Sequence, residues 1–384
     1  MTARGCSLRS NFNGRRDPTT DMAVALALGL LAVPLLVAAA PLRLTNYVGN
    51  DMRPTWDPRP GSETIAYQTN NGAAATNIFN LGAVQADGSN ERLLARGPDT
   101  PFGIAAQNVS SWAGTSGRVI VNETVVFHEY MSFQPQPTTF TRTVGDGNDA
   151  AFTRELLISG GGGGGFMLVS RDGNSAVWRW STDGGSGTQQ VRTGSFASLV
   201  GQAASSTGTV IATLSSGAQY FLQGAAIAPD GSKVILAEPS GSGYDLFMYN
   251  FTGSGRTALT TSGLSAGISN LYPDFTPDGT HIAFARNAAA GLALDLWRMG
   301  LDGSDLEQLT NTPETEAWPT WAPDGERFAY ARSDLAVPGG PAANYNIYID
   351  RFQAEPPPSV PEPGTLALLG LGLAGLAASR RRKL

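Results

Sequence analysis

The chain has 384 residues, of which 47 are glycine and 24 proline, while 41% are hydrophobic and only 15% charged. That much apolar material excludes a fully disordered chain, and that density of helix breakers excludes a mostly helical one. A formal charge of −6 gives no general reason for nucleic-acid binding, and one cysteine with two histidines (Cys6, His128, His281) leaves neither a disulfide framework nor a Cys/His zinc site. No metal and no cofactor is expected.

Met22 to Ala40 is an apolar run preceded by Arg15-Arg16. Both Val37-Ala38-Ala39 and Ala38-Ala39-Ala40 satisfy the small-x-small pattern of a signal-peptide exit. Cleavage is expected after Ala39 or a neighbour, because Pro41 hinders cleavage directly before it. Residues 1–40 are therefore expected to be a secretory signal peptide, an uncleaved signal anchor being the other reading. Cys6 lies ahead of the run, so it cannot be a lipoprotein cysteine, and the exported chain would contain none.

Self-similarity follows. Tyr272-Pro273-Asp274-Phe275-Thr276-Pro277-Asp278-Gly279 and Trp318-Pro319-Thr320-Trp321-Ala322-Pro323-Asp324-Gly325 share one pattern, and each runs into an alternating apolar strand. Ala228-Pro229-Asp230-Gly231 and Pro54-Thr55-Trp56-Asp57-Pro58 open strands in the same way. Pro-Asp-Gly is turn chemistry, with proline fixing φ and glycine accepting a positive one. Third strands are expected at Asn77-Ile78-Phe79, Ser175-Ala176-Val177-Trp178, Asp245-Leu246-Phe247, Asp295-Leu296-Trp297 and Asn346-Ile347-Tyr348, and fourth strands end at Leu259-Thr260 and Leu309-Thr310. Four strands in 40 to 50 residues make one propeller blade.

The expected fold is all-β: a six-bladed propeller of four-stranded blades over 41–353, with apolar helices outside it at both ends. Blades are expected at about 54–97, 104–158, 160–200, 222–262, 270–312 and 317–352. The third is expected to keep strands two to four within Phe166 to Arg192, and 201–222 to be an insertion or a distorted first strand. The last blade lacks a fourth strand. Leu42-Arg43-Leu44-Thr45-Asn46 matches Gln308-Leu309-Thr310-Asn311 and is expected to supply it. These repeats resemble the WD-like repeat of TolB-type β-propellers on the Pro-Asp-Gly turns at 229–231, 277–279 and 323–325 and the Leu-Thr ends. The resemblance implies a six-bladed ring and no single activity. The helical domain that precedes the propeller in TolB has no counterpart here, which argues against a role in the Tol system.

After a proline-rich linker over 354–363, the chain ends on Val360-Pro361-Glu362-Pro363, an apolar stretch from Thr365 to Ala378, and Arg380-Arg381-Arg382-Lys383. The apolar stretch has 14 residues, fewer than the ~20 of a comfortable spanning helix. The tail over 364–384 is therefore expected to insert in a membrane transiently, with its basic end inside. Proline-glutamate-proline, a short apolar helix and a basic terminus in that order closely resemble the PEP-CTERM sorting signal of Gram-negative bacteria. In that family an integral-membrane exosortase recognises and removes the tail, and the hosts make exopolysaccharide or biofilm material. Residues 1–40 carry a net +2 and residues 364–384 a net +4, which leaves −12 on 41–363.

Candidate chemistry is sparse. Gly263-Leu264-Ser265-Ala266-Gly267 matches a nucleophile elbow but sits between two blades, with only His281 following as a base. His128 beside Glu129 has no nucleophile motif near it. The glycines 370, 372 and 375 match a dinucleotide fingerprint but lie in the terminal apolar segment. The Asp-Gly pairs lack the acidic density of calcium loops. Asp274, Glu314 and Glu316 are the carboxylates from which a glycosidase pair would be drawn. Any ligand is expected on the face carrying the loops near 46–53, 68–76, 171–175, 263–270, 287–294, 311–317 and 333–345, with Arg286, Arg332, Glu314 and Trp318 in or beside them. The sequence thus points to an exported, exosortase-sorted, non-catalytic propeller that binds a protein or polysaccharide at the cell surface or in the extracellular matrix. The alternative is a secreted carbohydrate-active enzyme, a lyase or hydrolase, on the same scaffold.

Overall fold

The Asp-Gly corners organise the chain. In the computed structural model, which describes residues 40–46, 49–70, 80–95, 105–125, 136–143, 155–159, 167–181, 189–199, 202–203, 207–214, 224–289, 293–333 and 344–352, each corner closes on itself. Asp230, Asp278 and Asp324 each turn Oδ1 onto the backbone N–H two residues on (2.9, 3.0 and 2.9 Å). Gly231, Gly279 and Gly325 sit at φ of 71°, 69° and 73° and donate back to the carbonyl three residues earlier. Those hydrogen bonds favour the carboxylate form, so all three aspartates are held below their usual pKa.

The corners matter unequally. A Cβ on Gly231 would lie 2.2 Å from Ser175 Oγ, whereas one on Gly61, at φ 74°, meets nothing within 4 Å. Gly61→Ala should therefore cost about 1 kcal/mol of backbone strain and Gly231→Ala about 2 kcal/mol or more, as read by denaturant midpoints. Equal losses would show that Ser175 gives way.

A short strand β1 (Leu42–Arg43) precedes the first blade, β2 (Asp51–Trp56), β3 (Thr64–Thr69), β4 (Asn80–Gln85) and β5 (Arg92–Ala95). The second sheet holds β6 (Ala105–Trp112), β7 (Arg118–Val125), β8 (Gln136–Thr143) and β9 (Glu155–Ser159). The third holds β10 (Met167–Val169), β11 (Ser175–Ser181) and β12 (Gln189–Ser195). Beyond them β13 (Gln202–Ala203) returns to the second sheet, and β14 (Thr209–Leu214) completes the third. The fourth is β15 (Ala225–Ile227), β16 (Lys233–Ser240), β17 (Gly243–Asn250) and β18 (Arg256–Ala258). After a one-turn helix α1 (Ser262–Ala266) comes the fifth, β19 (Asn270–Phe275), β20 (His281–Asn287), β21 (Leu294–Gly300) and β22 (Glu307–Gln308). The last sheet is β23 (Glu316–Trp321), β24 (Arg327–Ser333) and β25 (Tyr345–Arg351), with β1 at its edge.

The fold is an all-β propeller, with corrections to the expected blades. Five sheets are regular and four-stranded; the second has five strands, because β13 adds in parallel to β9. The third blade runs on to β14, beyond 160–200, and its first strand is β10. Ser175-Ala176-Val177-Trp178 is thus a second strand, and Asp172-Gly173 is the corner between strands one and two. The slip has a simple cause: Asp-Gly closes any tight hairpin, so the dipeptide alone does not say which one. In the first blade the described third strand starts at Asn80-Leu81, a repetition of Asn77-Ile78 three residues on. Asn77-Ile78-Phe79 itself lies outside the described residues, as do His128, Glu129 and the segments 1–39 and 353–384 with both apolar runs.

Both faces of the fifth and last sheets are covered, and their second strands show how. On β20, Ile282 and Phe284 alternate with Ala283 and Ala285, all fully buried; on β24, Phe328 and Tyr330 alternate with Ala329 and Ala331. The large residues pack on the preceding blade and the alanines receive those of the next. Large-against-small alternation lets wedge-shaped sheets close around an axis. The core is accordingly a series of interlayers between neighbouring blades.

The Leu-Thr ends clasp the third strands. Leu259 N donates to the Leu246 carbonyl and Leu309 N to that of Leu296, both at 2.8 Å, while Leu246 N and Leu296 N donate to Thr260 Oγ1 and Thr310 Oγ1 at 2.9 and 2.8 Å. In the last sheet Leu44 N donates to the Ile347 carbonyl at 2.8 Å and Ile347 N to Thr45 Oγ1 at 3.0 Å. Leu42 pairs with Ile349 and Arg43 with Tyr348, antiparallel. The N-terminal segment therefore occupies the place that a fourth strand fills elsewhere.

Candidate functional site at the axial mouth

Three first strands, β2, β19 and β23, share one irregularity. Arg53, Tyr272 and Trp318 each precede a proline, each lie within a register shift, and each adopt a positive φ (51°, 55° and 54°). For residues of this size such a conformation costs ~1–3 kcal/mol apiece and persists only where the surroundings enforce it. Among the described residues the other two non-glycines with positive φ are Asn90 and Asp305, types that tolerate it.

The side chains of the three converge. The Tyr272 and Trp318 ring centroids are 4.9 Å apart and tilted by 41°; Tyr345 meets Trp318 edge-on at 5.5 Å. Burial depresses the Arg53 guanidinium to about 10, and interaction with Tyr272 partly offsets this. Arg53 and Tyr272 belong to the first and fifth sheets, which flank the last sheet with its Trp318.

Two residues before each bulge stands a buried polar residue, Asp51, Asn270 and Glu316. These seal the blade junctions. Asp245 accepts from Thr260 Oγ1 (2.8 Å), Gly263 N (2.8 Å) and Leu264 N (3.0 Å), and Asn270 Nδ2 donates to the Tyr244 carbonyl (2.9 Å) and Ser262 Oγ (3.0 Å). At the next junction Gln308 Nε2 and Thr312 N donate to Asp295 (3.1 and 3.2 Å), and Thr312 Oγ1 donates to Glu316 Oε1 (3.0 Å). Burial pushes Glu316 up to about 7 against the pull of Thr310 and Thr312, and pushes Asp51 up to about 6.

Below the bulges, equivalent positions latch consecutive blades. Trp321 N donates to Asp274 Oδ2 (3.1 Å), Trp56 N to Thr320 Oγ1 (3.2 Å) and Val169 N to Ser111 Oγ (3.1 Å). Burial raises Asp274 to about 6, opposed by Arg171. Arg171 reaches from the third sheet to the Trp321 carbonyl in the last sheet at 3.0 Å.

The expected site residues divide accordingly. Arg286 is committed to a junction: its Nη1 donates to Asn270 Oδ1 (2.8 Å) and Ser262 Oγ (2.9 Å). Arg332 lies 3.9 Å over the Tyr348 ring and interacts with Glu314, which is half-buried. Trp318 stands at the axial mouth, half-buried. Residues 171–175 form a corner between first and second strands, so they lie at the opposite end from the loops with which they were grouped. Ser265 Oγ donates to the Thr261 carbonyl (3.0 Å) beside the entry to β19, whereas His281 Nδ1 contacts Thr280 Oγ1 (2.8 Å) at the far end of that blade. About 20 Å of strand separates them, which removes the elbow reading. Asp274 occupies the level of Thr320, four residues below that of Glu316, so these carboxylates do not face one another. Arg53, Tyr272 and Tyr345 escaped sequence reasoning, although the repeated x-Pro step at 53–54, 272–273 and 318–319 was there to be found.

An uncharacterized protein of Agrobacterium fabrum is 26% identical over 111 residues, 29% of this chain, and the match spans 36% of that relative's length. TolB from Acinetobacter baumannii is similar at 16% identity over 91% of this chain and 72% of that one, with a TM-score of 0.46. An oligogalacturonate lyase in complex with manganese is similar at 12% identity over 81% of this chain and 92% of that one, with a TM-score of 0.45. At the C-terminus, where proline-glutamate-proline, apolar stretch and basic cluster follow one another, residues 359–383 match the PEP-CTERM protein-sorting motif, which implies export, processing by an exosortase-type enzyme and sorting to the cell envelope of a Gram-negative bacterium.

Proposed function

We propose that this chain is a surface-sorted, non-catalytic binding propeller. In it the five-stranded second sheet serves as the sixth blade, residues 1–40 are a cleaved signal peptide, and residues 364–384 are a transient membrane helix. The observation that carries the reading is the sorting motif over 359–383, joined to a propeller. A chain addressed to the cell surface with a rigid ring and long loops suits capture or scaffolding of a surface partner, a protein or a polysaccharide. The absence of catalysis is supported by the separation of Ser265 from His281 and by the different depths of Asp274 and Glu316.

The test of sorting is direct. Replacing Pro361-Glu362-Pro363 by alanines should leave the protein in the membrane with its tail, read as intact mass from the membrane fraction of the native host. Surface release of that variant at the normal level and mass would refute the exosortase step. Turnover of a glycan, abolished by one carboxylate substitution, would replace the binding reading with the enzymatic one.

A further inference from the structure

We propose that the mouth built from Trp318, Tyr345 and Tyr272, with Arg53, Asn50 and Asn70 around it, is a saccharide subsite that stacks one sugar ring of a neutral polysaccharide on Trp318. This deepens the binding reading and rests on it.

Three observations support it. Backbone strain at matching positions of three blades is spent on bringing Arg53, Tyr272 and Trp318 to one place on the axis. The result is an aromatic platform that solvent reaches at Trp318, flanked edge-on by Tyr345. Beside it are two oriented carboxamides: Asn50 Oδ1 accepts from Tyr345 N (3.2 Å), and Asn70 Oδ1 accepts from Asn50 N (2.8 Å). Those bonds fix both amide planes, and the two Nδ2 groups donate to no protein acceptor among the described residues. A sugar ring offers the complementary surface, an apolar C–H face for the indole and hydroxyl oxygens for fixed donors. The −12 carried by residues 41–363 disfavours a polyanionic glycan, which commits the site to a neutral one.

The full-length chain, purified in a zwitterionic detergent, would be titrated with cellotetraose, maltotetraose and chitotetraose, following tryptophan fluorescence. At least one should bind. Trp318→Ala should weaken it at least tenfold and Asn70→Ala several-fold, while Trp318→Phe keeps most of the affinity. Should Trp318→Ala fail to fold, Asn70→Ala and Trp318→Phe decide. Binding unaffected by Asn70→Ala, or by Trp318→Ala where that variant folds, would overturn the subsite and leave the binding reading standing. No binding of any of the three by the wild type would overturn the saccharide assignment. New reducing ends during titration would instead overturn the non-catalytic reading.

Discussion

Deletion of residues 41–48 should lower the melting temperature by about 7 °C. The segment buries Leu44 and Thr45 almost completely and makes the Leu44 N and Thr45 Oγ1 bonds to Ile347 as well as the β1 pairing. Burying one leucine is worth ~2 kcal/mol and each hydrogen bond ~1 kcal/mol, so the sum approaches 5 kcal/mol. Unfolding entropy grows with length, so over 41–353 each kcal/mol moves the midpoint by ~1.5 °C. Deletion also leaves β25 as an unpaired edge, which invites association between chains. Thr45→Ala isolates one part of the clasp: it strands a buried Ile347 N–H and should cost ~1–3 kcal/mol. An unchanged melting temperature in the deletion would mean that the last sheet is self-sufficient with three strands.

Glu316→Gln should flatten the pH dependence of stability between pH 5 and 8. Glu316 is fully buried, and its pKa is pushed from 4.5 to about 7 in the folded protein. Because the folded value is the higher one, the native state binds more protons than the unfolded chain across this window. Stability is then greatest below the unfolded pKa and falls as pH rises, by ~1.4 kcal/mol per pH unit until the folded value is passed, about 3 kcal/mol in all. Asp51 and Asp274, both raised to about 6, act in the same direction. The corner aspartates Asp230, Asp278 and Asp324 are shifted the other way and matter only below about pH 4, where they begin to protonate. Stability should therefore peak near pH 5. Glutamine at position 316 can still accept from Thr312 Oγ1, so the variant should match the wild type at pH 5 and exceed it at pH 8. Parallel melting curves across that range for the two proteins would show that Glu316 ionises without penalty.

The corners and clasps were legible in the sequence because their chemistry is local or repeats. Asp278 closes its own turn, and Leu44-Thr45 repeats Leu309-Thr310 letter for letter, so position and partner follow together. The degenerate middle was not legible, for the opposite reason. Ser111 and Leu168 carry no blade signature, the Asp172-Gly173 corner does not say which hairpin it closes, and only pairing across the sheets gives them their places. Arg286 shows a further limit. As a cationic side chain beside a loop it was assigned to a ligand face, yet strand pairing sets it opposite Asn270, where a junction consumes its donors. The mouth was half visible: Trp318 stood out as an aromatic, while Arg53 joins it only because the first and last blades are neighbours.

The clasp at the last sheet also sets where the described chain enters and leaves the ring. β1 and β25 are antiparallel, with Leu42 opposite Ile349, so the chain enters at Leu42 and leaves after Arg351 from the same end of one blade. That end is the one holding the Pro323-Asp324-Gly325 corner, since Arg327 pairs with Arg351. Glu316, Asn346 and the Trp318 bulge belong to the other end. Both ends of the described chain thus lie on the corner side of that blade, and the Trp318 bulge lies toward the opposite end.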